Sequence, residues 1–406
     1  MLSTASHGWQ PRSDDVDSAT MLSEAFEVAQ RDPLFGLPEW IHRADASEVA
    51  QRPVVIFGVN EFTHTLLASI APGRIAGLVD DYRQGQEVSG VPCMTSDEFC
   101  SKYGNSSSAL FVDCARYGRA NVHFRGLALR ANVATVNFEQ AVRLLKPERI
   151  DYRVEDHLPA ILDNERSYRQ LERRLDDELS RETLRRVLLY HMTTCRDLYR
   201  PIERPYETLY FRSGLFDPRS DERFVDCGAS IGESISGLLE ITGFSLDAAW
   251  LIEPDRTNVV TLGKLLEKLR VDCPEIAKRI KLVPCAVGES AGRVPFRHAG
   301  GHGGNVVAAP SNGDTLVCEV DVVAIDDIVE QPVTMIKMDV EGYELPTLRG
   351  ARQSITNHRP RLCVSAYHRA TDLIDLSNFV LSLRDDYRVG LRHHTPLRWD
   401  TCLYFY

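Results

Sequence analysis

Short apolar runs, each closed by an acid or a glycine, recur along the chain and set the rhythm of its elements. The first is Val54–Phe57 in "RPVVIFGVNEF", which stops at Gly58 and leads into a helical pattern. "RIAGLVDDY" follows, ending in Asp80 and Asp81, and then "ALFVDCA" over residues 109–115. An apolar run of this length between turn residues reads as a strand buried on both faces, and strand, glycine turn, helix, strand is a βαβ unit. Further runs lie at residues 224–226, 249–253, 280–286, 335–339 and 361–367, with helical stretches between most of them. The last stretch, "YRVGLRHHTPLRWDTCLYFY", reads as two strands joined by a loop. The expected fold class is therefore α/β, with a doubly wound, Rossmann-like sheet carrying an antiparallel edge hairpin in the C-terminal half and a smaller Rossmann-like α/β domain before it.

Between these halves the texture changes. "NERSYRQLERRLDDELSRETLRRVLLYHMTTCRDLY" is rich in Leu, Arg and Glu; Leu171, Leu175 and Leu179 share a helical stripe, and Ser180 reads as the N-cap of a second helix. The expected organisation is a polar, partly helical segment over 1–50 with a helix near 21–30, a small Rossmann-like domain over 51–150, a helical connector over 151–204, and a cofactor-binding domain over 205–406. A length of 406 residues agrees with more than one domain.

Composition narrows the function. The formal charge of −11 disfavours a nucleic-acid partner, which needs clustered Lys and Arg. No apolar stretch is long enough to span a bilayer, and the N-terminus lacks the charged-then-apolar order of a secretory signal. The 10 cysteines form no CxxC pair, so reduced thiols in a cytoplasmic protein are expected, with no zinc site.

The chemistry begins at "FVDCGASIGESISG". Gly228 lets the chain turn sharply after a strand, and Gly232 opens a helix whose free N–H groups attract anions or acceptor atoms. Glu253 ends the next strand about twenty residues on, where a carboxylate takes ribose hydroxyls. A ribose-bearing cofactor is implied. A dinucleotide wants a third glycine, which is missing, and Asp226 in front of the loop is poorly matched to a pyrophosphate. The loop suits S-adenosylmethionine, with its ammonium group and no phosphate. An NAD(P)-dependent oxidoreductase and a non-catalytic nucleotide-binding module stay open as alternatives.

"FVDCGASIGES", "LIEPD", "CAVGES", "MIKMDVEGYELPTLRGA" and "RPRLCVSAYH", in this order, resemble the motifs of the FkbM family of S-adenosylmethionine-dependent methyltransferases over about residues 205–406. The resemblance implies a class I methyltransferase fold, S-adenosyl-L-methionine as cofactor, and O-methylation of a hydroxyl on a sugar, polysaccharide unit or secondary metabolite. It implies that Asp226, Gly228, Ala229 and Gly232 hold the amino-acid end of the cofactor. Glu253 would hold the ribose with Pro254 and Asp255 shaping the next turn, and Cys285 and Ala286, ending the third strand, would meet the adenine. Cys227 and the "AYH" ending depart from the commoner pattern.

Methyl transfer needs in-line positioning and removal of the acceptor's proton. Asp339 ends a strand and is the expected base or orienting group; Lys337 shares its strand face as a further catalytic candidate, and Glu341 follows in the loop as a substrate contact. His368 ends the fifth strand and is the second candidate base. Asp339 and Glu341 would suit magnesium, but with no third clear ligand no metal is expected. The glycine-rich insert over residues 298–314 reads as a lid or a hairpin loop, with His302 and Asn305 as candidate substrate contacts, and His393–His394 as a surface pair. In the N-terminal domain Gly58, Asn60 and Asp80–Asp81 fit either a degenerate scaffold or a site for a nucleotide-sugar-like ligand.

Overall fold

The computed structural model describes residues 17–71, 73–115, 118–307 and 316–406. The chain divides into two compact units, one of Met1–Glu165 with Arg185–Arg200, the other of Arg166–Leu184 with Pro201–Tyr406. The division falls inside the helix Glu178–Thr193, so the residues expected to form a separate connector are shared between the units.

The first unit is built on a six-stranded sheet of β1 (Val54–Phe57), β2 (Ile75–Val79), β3 (Glu87–Val88), β4 (Val91–Met94), β5 (Leu110–Asp113) and β6 (Thr135–Asn137), in the order β3-β4-β2-β1-β5-β6. All pairings are parallel except β3 with β4. Phe57, Phe99, Phe111 and Phe124 fill one face of it. The helix predicted near residues 21–30 is Ser18–Ala29, capped by Asp17.

The second unit holds a seven-stranded sheet and a four-stranded one. The strands are β7 (Arg223–Cys227), β8 (Ala248–Ile252), β9 (Ile280–Val283), β10 (Ala286–Val287), β11 (Gly292–Arg297), β12 (Asn305–Val306), β13 (Val317–Val323), β14 (Met335–Met338), β15 (Arg361–Ser365), β16 (Val389–His393) and β17 (Thr401–Phe405). The larger sheet runs β16-β17-β15-β14-β7-β8-β9, parallel from β15 to β9 and antiparallel at β17 and β16. Its central strands are buried on both faces, which is why they read as unbroken apolar runs.

Four local readings change. The strand expected over 280–286 is broken: it ends at Val283, and Ala286 begins β10, which pairs with β13 in the smaller sheet, so Cys285 and Ala286 do not end the third strand. The proline at position 284 donates no backbone hydrogen bond and suits such an exit. Ser180 is not an N-cap: Asp177 Oδ1 accepts its N–H, and the buried Ser180 hydroxyl accepts from Leu391 N and Arg392 Nη1. Leu175 lies between the helices Glu165–Arg174 and Glu178–Thr193, bridged to Val389, so the leucine stripe is interrupted. His393 and His394 are buried rather than at the surface, because the ring of each meets a hydroxyl of the second unit: Thr401 Oγ1 at 2.9 Å from His393 Nδ1, Tyr404 OH at 3.1 Å from His394 Nε2.

Candidate active site

Two loops at the carboxyl ends of neighbouring strands meet in the second unit, one after β7 and one after β14. Gly228 has φ +75°, and a Cβ there would lie 1.9 Å from the Asp339 carbonyl oxygen. Only glycine permits that approach. Gly228 N and Ala229 N donate to Ile252 O, and Ala229 is buried in the core beneath the loop. Ser230 takes a left-handed φ of 49°, and Gly232, at φ +98°, begins the helix Glu233–Ile241.

Beneath this loop Lys337 Nζ stands 3.1 Å from Asp226 Oδ1 and donates to Gly228 O at 2.6 Å. Both side chains are buried. Burial opposes the lysine's charge, but Asp226 and Asp339 outweigh it and keep the ammonium protonated. Burial also pushes Asp226 up in spite of the lysine; the 3.1 Å contact favours the charged pair. The structure therefore sets Asp226 against Lys337 rather than in open solvent, and both shape the glycine loop from below.

Glu253 directly follows β8. Its Oε2 accepts Ser230 N and its Oε1 accepts Asp255 N, both at 2.8 Å. Burial pushes it up to about 7 against those donors. Each carboxylate oxygen has capacity for another hydrogen bond, so the pair suits a ribose diol. Asp255, after Pro254, caps the helix Arg256–Asp272 through Oδ1, while its Oδ2 accepts Ala299 N and Gly300 N. Burial opposes its charge, yet these backbone donors hold Asp255 below the usual carboxylate range. Asn258 exchanges two hydrogen bonds with the Gly301 backbone.

Thus the described start of the insert, residues 298–302, is tied beside Glu253 and the glycine loop. His302, exposed, has Nδ1 3.4 Å from Ser230 Oγ and Nε2 3.4 Å from Glu233 Oε1. Asn305 is buried in β12 opposite Arg297, with its Nδ2 on Val306 O. Residues 308–314 of the insert lie outside the described residues.

On the acceptor side, Asp339 Oδ2 accepts from Tyr210 OH at 2.9 Å and Oδ1 from Tyr367 OH at 3.2 Å. Burial raises Asp339, but Lys337, His368 and the Tyr210 and Ser365 hydroxyls outweigh it and keep the carboxylate ionised. His368, 1% exposed, has Nδ1 3.0 Å from Glu344 Oε1 and Nε2 3.6 Å from Glu341 Oε2 and 3.7 Å from Asp339 Oδ1. Burial works against its charge, yet Glu344, Glu341 and Asp339 together raise it to about 10. At neutral pH, with only protons to bind, it is an imidazolium and a counter-charge. Glu341 adopts a left-handed φ of 54° in the turn. Burial and neighbouring carboxylates push Asp372 and Asp400 up to about 7 each. Ligand atoms of Asp339, Glu344 and His368 lie within 4.8 Å of one another and are a candidate cation-binding group.

Sequence reasoning missed Tyr210, Tyr367, Glu344, Ser230 and Asn258. Glu344 and Tyr367 stand inside the quoted motifs but are separated in the chain. Tyr210 precedes the first strand of its sheet and carries no local signal.

In a comparison with family models, residues 226–388 match the Methyltransferase FkbM domain. A solved structure of a methyltransferase FkbM from Methylobacillus flagellatus KT is 39% identical, covers 96% of this chain and 99% of its own, and superposes with a TM-score of 0.84. An rRNA methylase from Streptococcus thermophilus aligns with 46% of this chain and 86% of its own at 14% identity and a TM-score of 0.29. Fibrillarin from Aeropyrum pernix aligns with 48% of this chain and 70% of its own at 12% identity and a TM-score of 0.29. No curated protein matches the chain.

Proposed function

This chain belongs to the FkbM family of S-adenosylmethionine-dependent methyltransferases, and on that premise we propose that it methylates a hydroxyl oxygen of a sugar, polysaccharide unit or secondary metabolite. The observation that carries the reading is Asp339: an ionised carboxylate, held by two phenols, on a loop that touches the glycine loop. S-adenosylmethionine, when bound, supplies a methyl group on a sulfonium sulfur.

Every other part falls to the chain's own groups. Glu253 receives the ribose, and the first N–H groups of the helix Glu233–Ile241 receive the amino-acid end. Asp226 and Lys337 fix the loop that presents those groups. The tether of Asp255 and Asn258 to residues 299–301 keeps the start of the insert beside them. Asp339 accepts the acceptor's hydroxyl proton, while the imidazolium of His368 stabilises the carboxylate cluster instead of competing for that proton. No helix among the described residues is long and apolar enough to cross a membrane.

The test is a panel of sugar and metabolite hydroxyl acceptors incubated with the full chain and S-adenosylmethionine, with the methyl group of any product located by NMR. Attachment to oxygen supports the reading; attachment to nitrogen or carbon overturns it. Asp339→Asn should lower turnover by about 10²–10⁴-fold and leave S-adenosylhomocysteine affinity near that of the parent. A variant turning over at the parental rate would make Asp339 a structural group.

One observation favours a ligand in the first unit as well. Asp80 Oδ2 accepts Val59 N, as Glu253 accepts Ser230 N. The same strand-end acid therefore faces the same kind of turn, while Asn60 caps the helix Glu61–Ser69 and Asp81 holds Ser96. A nucleotide-sugar-like ligand fits this pattern. Calorimetric titration with a uridine diphosphate sugar, compared between the parent and Asp80→Ala, tests it.

A further inference from the structure

We propose that the second unit binds a divalent metal cation through His368 Nε2 and the carboxylates of Asp339 and Glu341, with Glu344 supporting the imidazole from behind. The cation's use in methyl transfer rests on the function proposed above; its binding does not.

The acids alone would not point to a site. His368 does: its side chain is 1% exposed, and among the described residues its Nε2 has no hydrogen-bond partner. Nε2 faces Asp339 Oδ1 at 3.7 Å and Glu341 Oε2 at 3.6 Å, both too long for hydrogen bonds. Two ligands each about 2.1 Å from one metal stand roughly 3–3.5 Å apart, so a small closure completes the cage. A cation there replaces a proton on Nε2.

The other ring nitrogen has the support that metal-bound histidines commonly show. Nδ1 is 3.0 Å from Glu344 Oε1, and a carboxylate in that position fixes the ring and strengthens it as a ligand. Glu344 Oε1 is itself anchored by Val340 N, and Glu344 is almost wholly buried. Asp339 and Glu341 are more open, their side chains 24% and 20% exposed. A cation on that side keeps coordination positions for water or for neighbouring oxygens of the acceptor. Two carboxylates and one imidazole suit a hard or borderline divalent ion of the manganese type.

The experiment uses the full chain, stripped with chelator and dialysed. MnCl2 is titrated in while the electron paramagnetic resonance signal of free Mn2+ is followed, and S-adenosylhomocysteine binding is measured calorimetrically on the same preparation. One saturable Mn2+ site is expected, weakened at least about tenfold in both Glu341→Gln and His368→Gln. Glu341→Gln lies at the open edge, so it carries the test if the buried histidine variant does not fold. Absence of saturable binding, or binding unchanged in Glu341→Gln, overturns the proposal and leaves His368 as a counter-charge alone. Mn2+ binding by a protein that fails to bind S-adenosylhomocysteine would uphold the metal site and sink the methyltransferase use of it.

Discussion

A carboxylate buried as deeply as Glu253 holds its proton until the pH reaches about 7, because leaving water costs the charged form more than two backbone donors return. Two consequences of opposite sign follow. Between its ordinary value, 4.5, and about 7, the folded protein holds a proton that the unfolded chain has released, so this group's contribution to stability falls as pH rises through that window. Ribose hydroxyls donate to the carboxylate, so they bind the ionised form better. S-adenosylhomocysteine affinity should therefore rise between pH 6 and pH 8, and Glu253→Gln should weaken binding and flatten the dependence. Calorimetric titrations at the two pH values check this; an equal pH slope in parent and variant would remove Glu253 from the ribose site. The pattern of strand, glycine and acid was enough to place Glu253 at a strand end beside the glycine loop. What it could not show was the pairing of Asp226 with Lys337, since a lysine inside an apolar strand announces a partner without naming it.

Among the elements, the edge hairpin of β16 and β17 shows how a polar-looking sequence can be core. Burial pushes His393 down to about 3 and His394 down to about 4, so both are neutral in the fold. Unfolded histidines take up protons near 6.5, so this pair withdraws stability as pH falls from there towards 4. Amide exchange at residues 389–405 should accelerate over that range, and His394→Gln should reduce the acceleration. Exchange insensitive to pH beyond its intrinsic rate change would show that the rings do not govern the hairpin. The sequence signal failed here because "HH" beside a turn looks solvated, whereas Thr401 and Tyr404 on β17 and Thr208 from a distant segment supply hydroxyl partners. The smaller sheet was missed for a related reason. β11 and β13 are half-exposed strands of mixed polar and apolar residues joined through a glycine-rich insert, and they are stabilised by cross-strand contacts such as Arg293 with Glu319 and Asp321. The apolar runs of β7, β8 and β14, buried on both faces, were legible by contrast.

At the scale of the whole molecule, the two units are interleaved in sequence, and this decides where the chain can be cut. Residues 185–200 belong to the first unit, where Arg143 donates to Met192 O and His191 O and Tyr190 OH donates to Glu139. Residues 166–184 belong to the second, where Asp177 pairs with Arg392 and Ser180 accepts from β16. A fragment of residues 151–406 keeps every group around the glycine loop and should bind S-adenosylhomocysteine. It strands Leu188, Leu189, Tyr190 and Met192, all buried in the full chain, without the elements of their own unit. It should therefore melt below the full chain and aggregate more readily. A fragment of residues 201–406 is cut more deeply, because it also loses Tyr168, Leu171, Leu175 and Leu184 from its own core and the Asp177 and Ser180 supports of the hairpin. The expected order of melting temperature is full chain, then 151–406, then 201–406, with the cofactor response of the shortest weakened in step with its stability. Scanning calorimetry of the three proteins with and without S-adenosylhomocysteine gives the order directly. If 201–406 melts as high as 151–406, residues 166–184 contribute nothing to the second unit, and the chain can be divided cleanly at position 201.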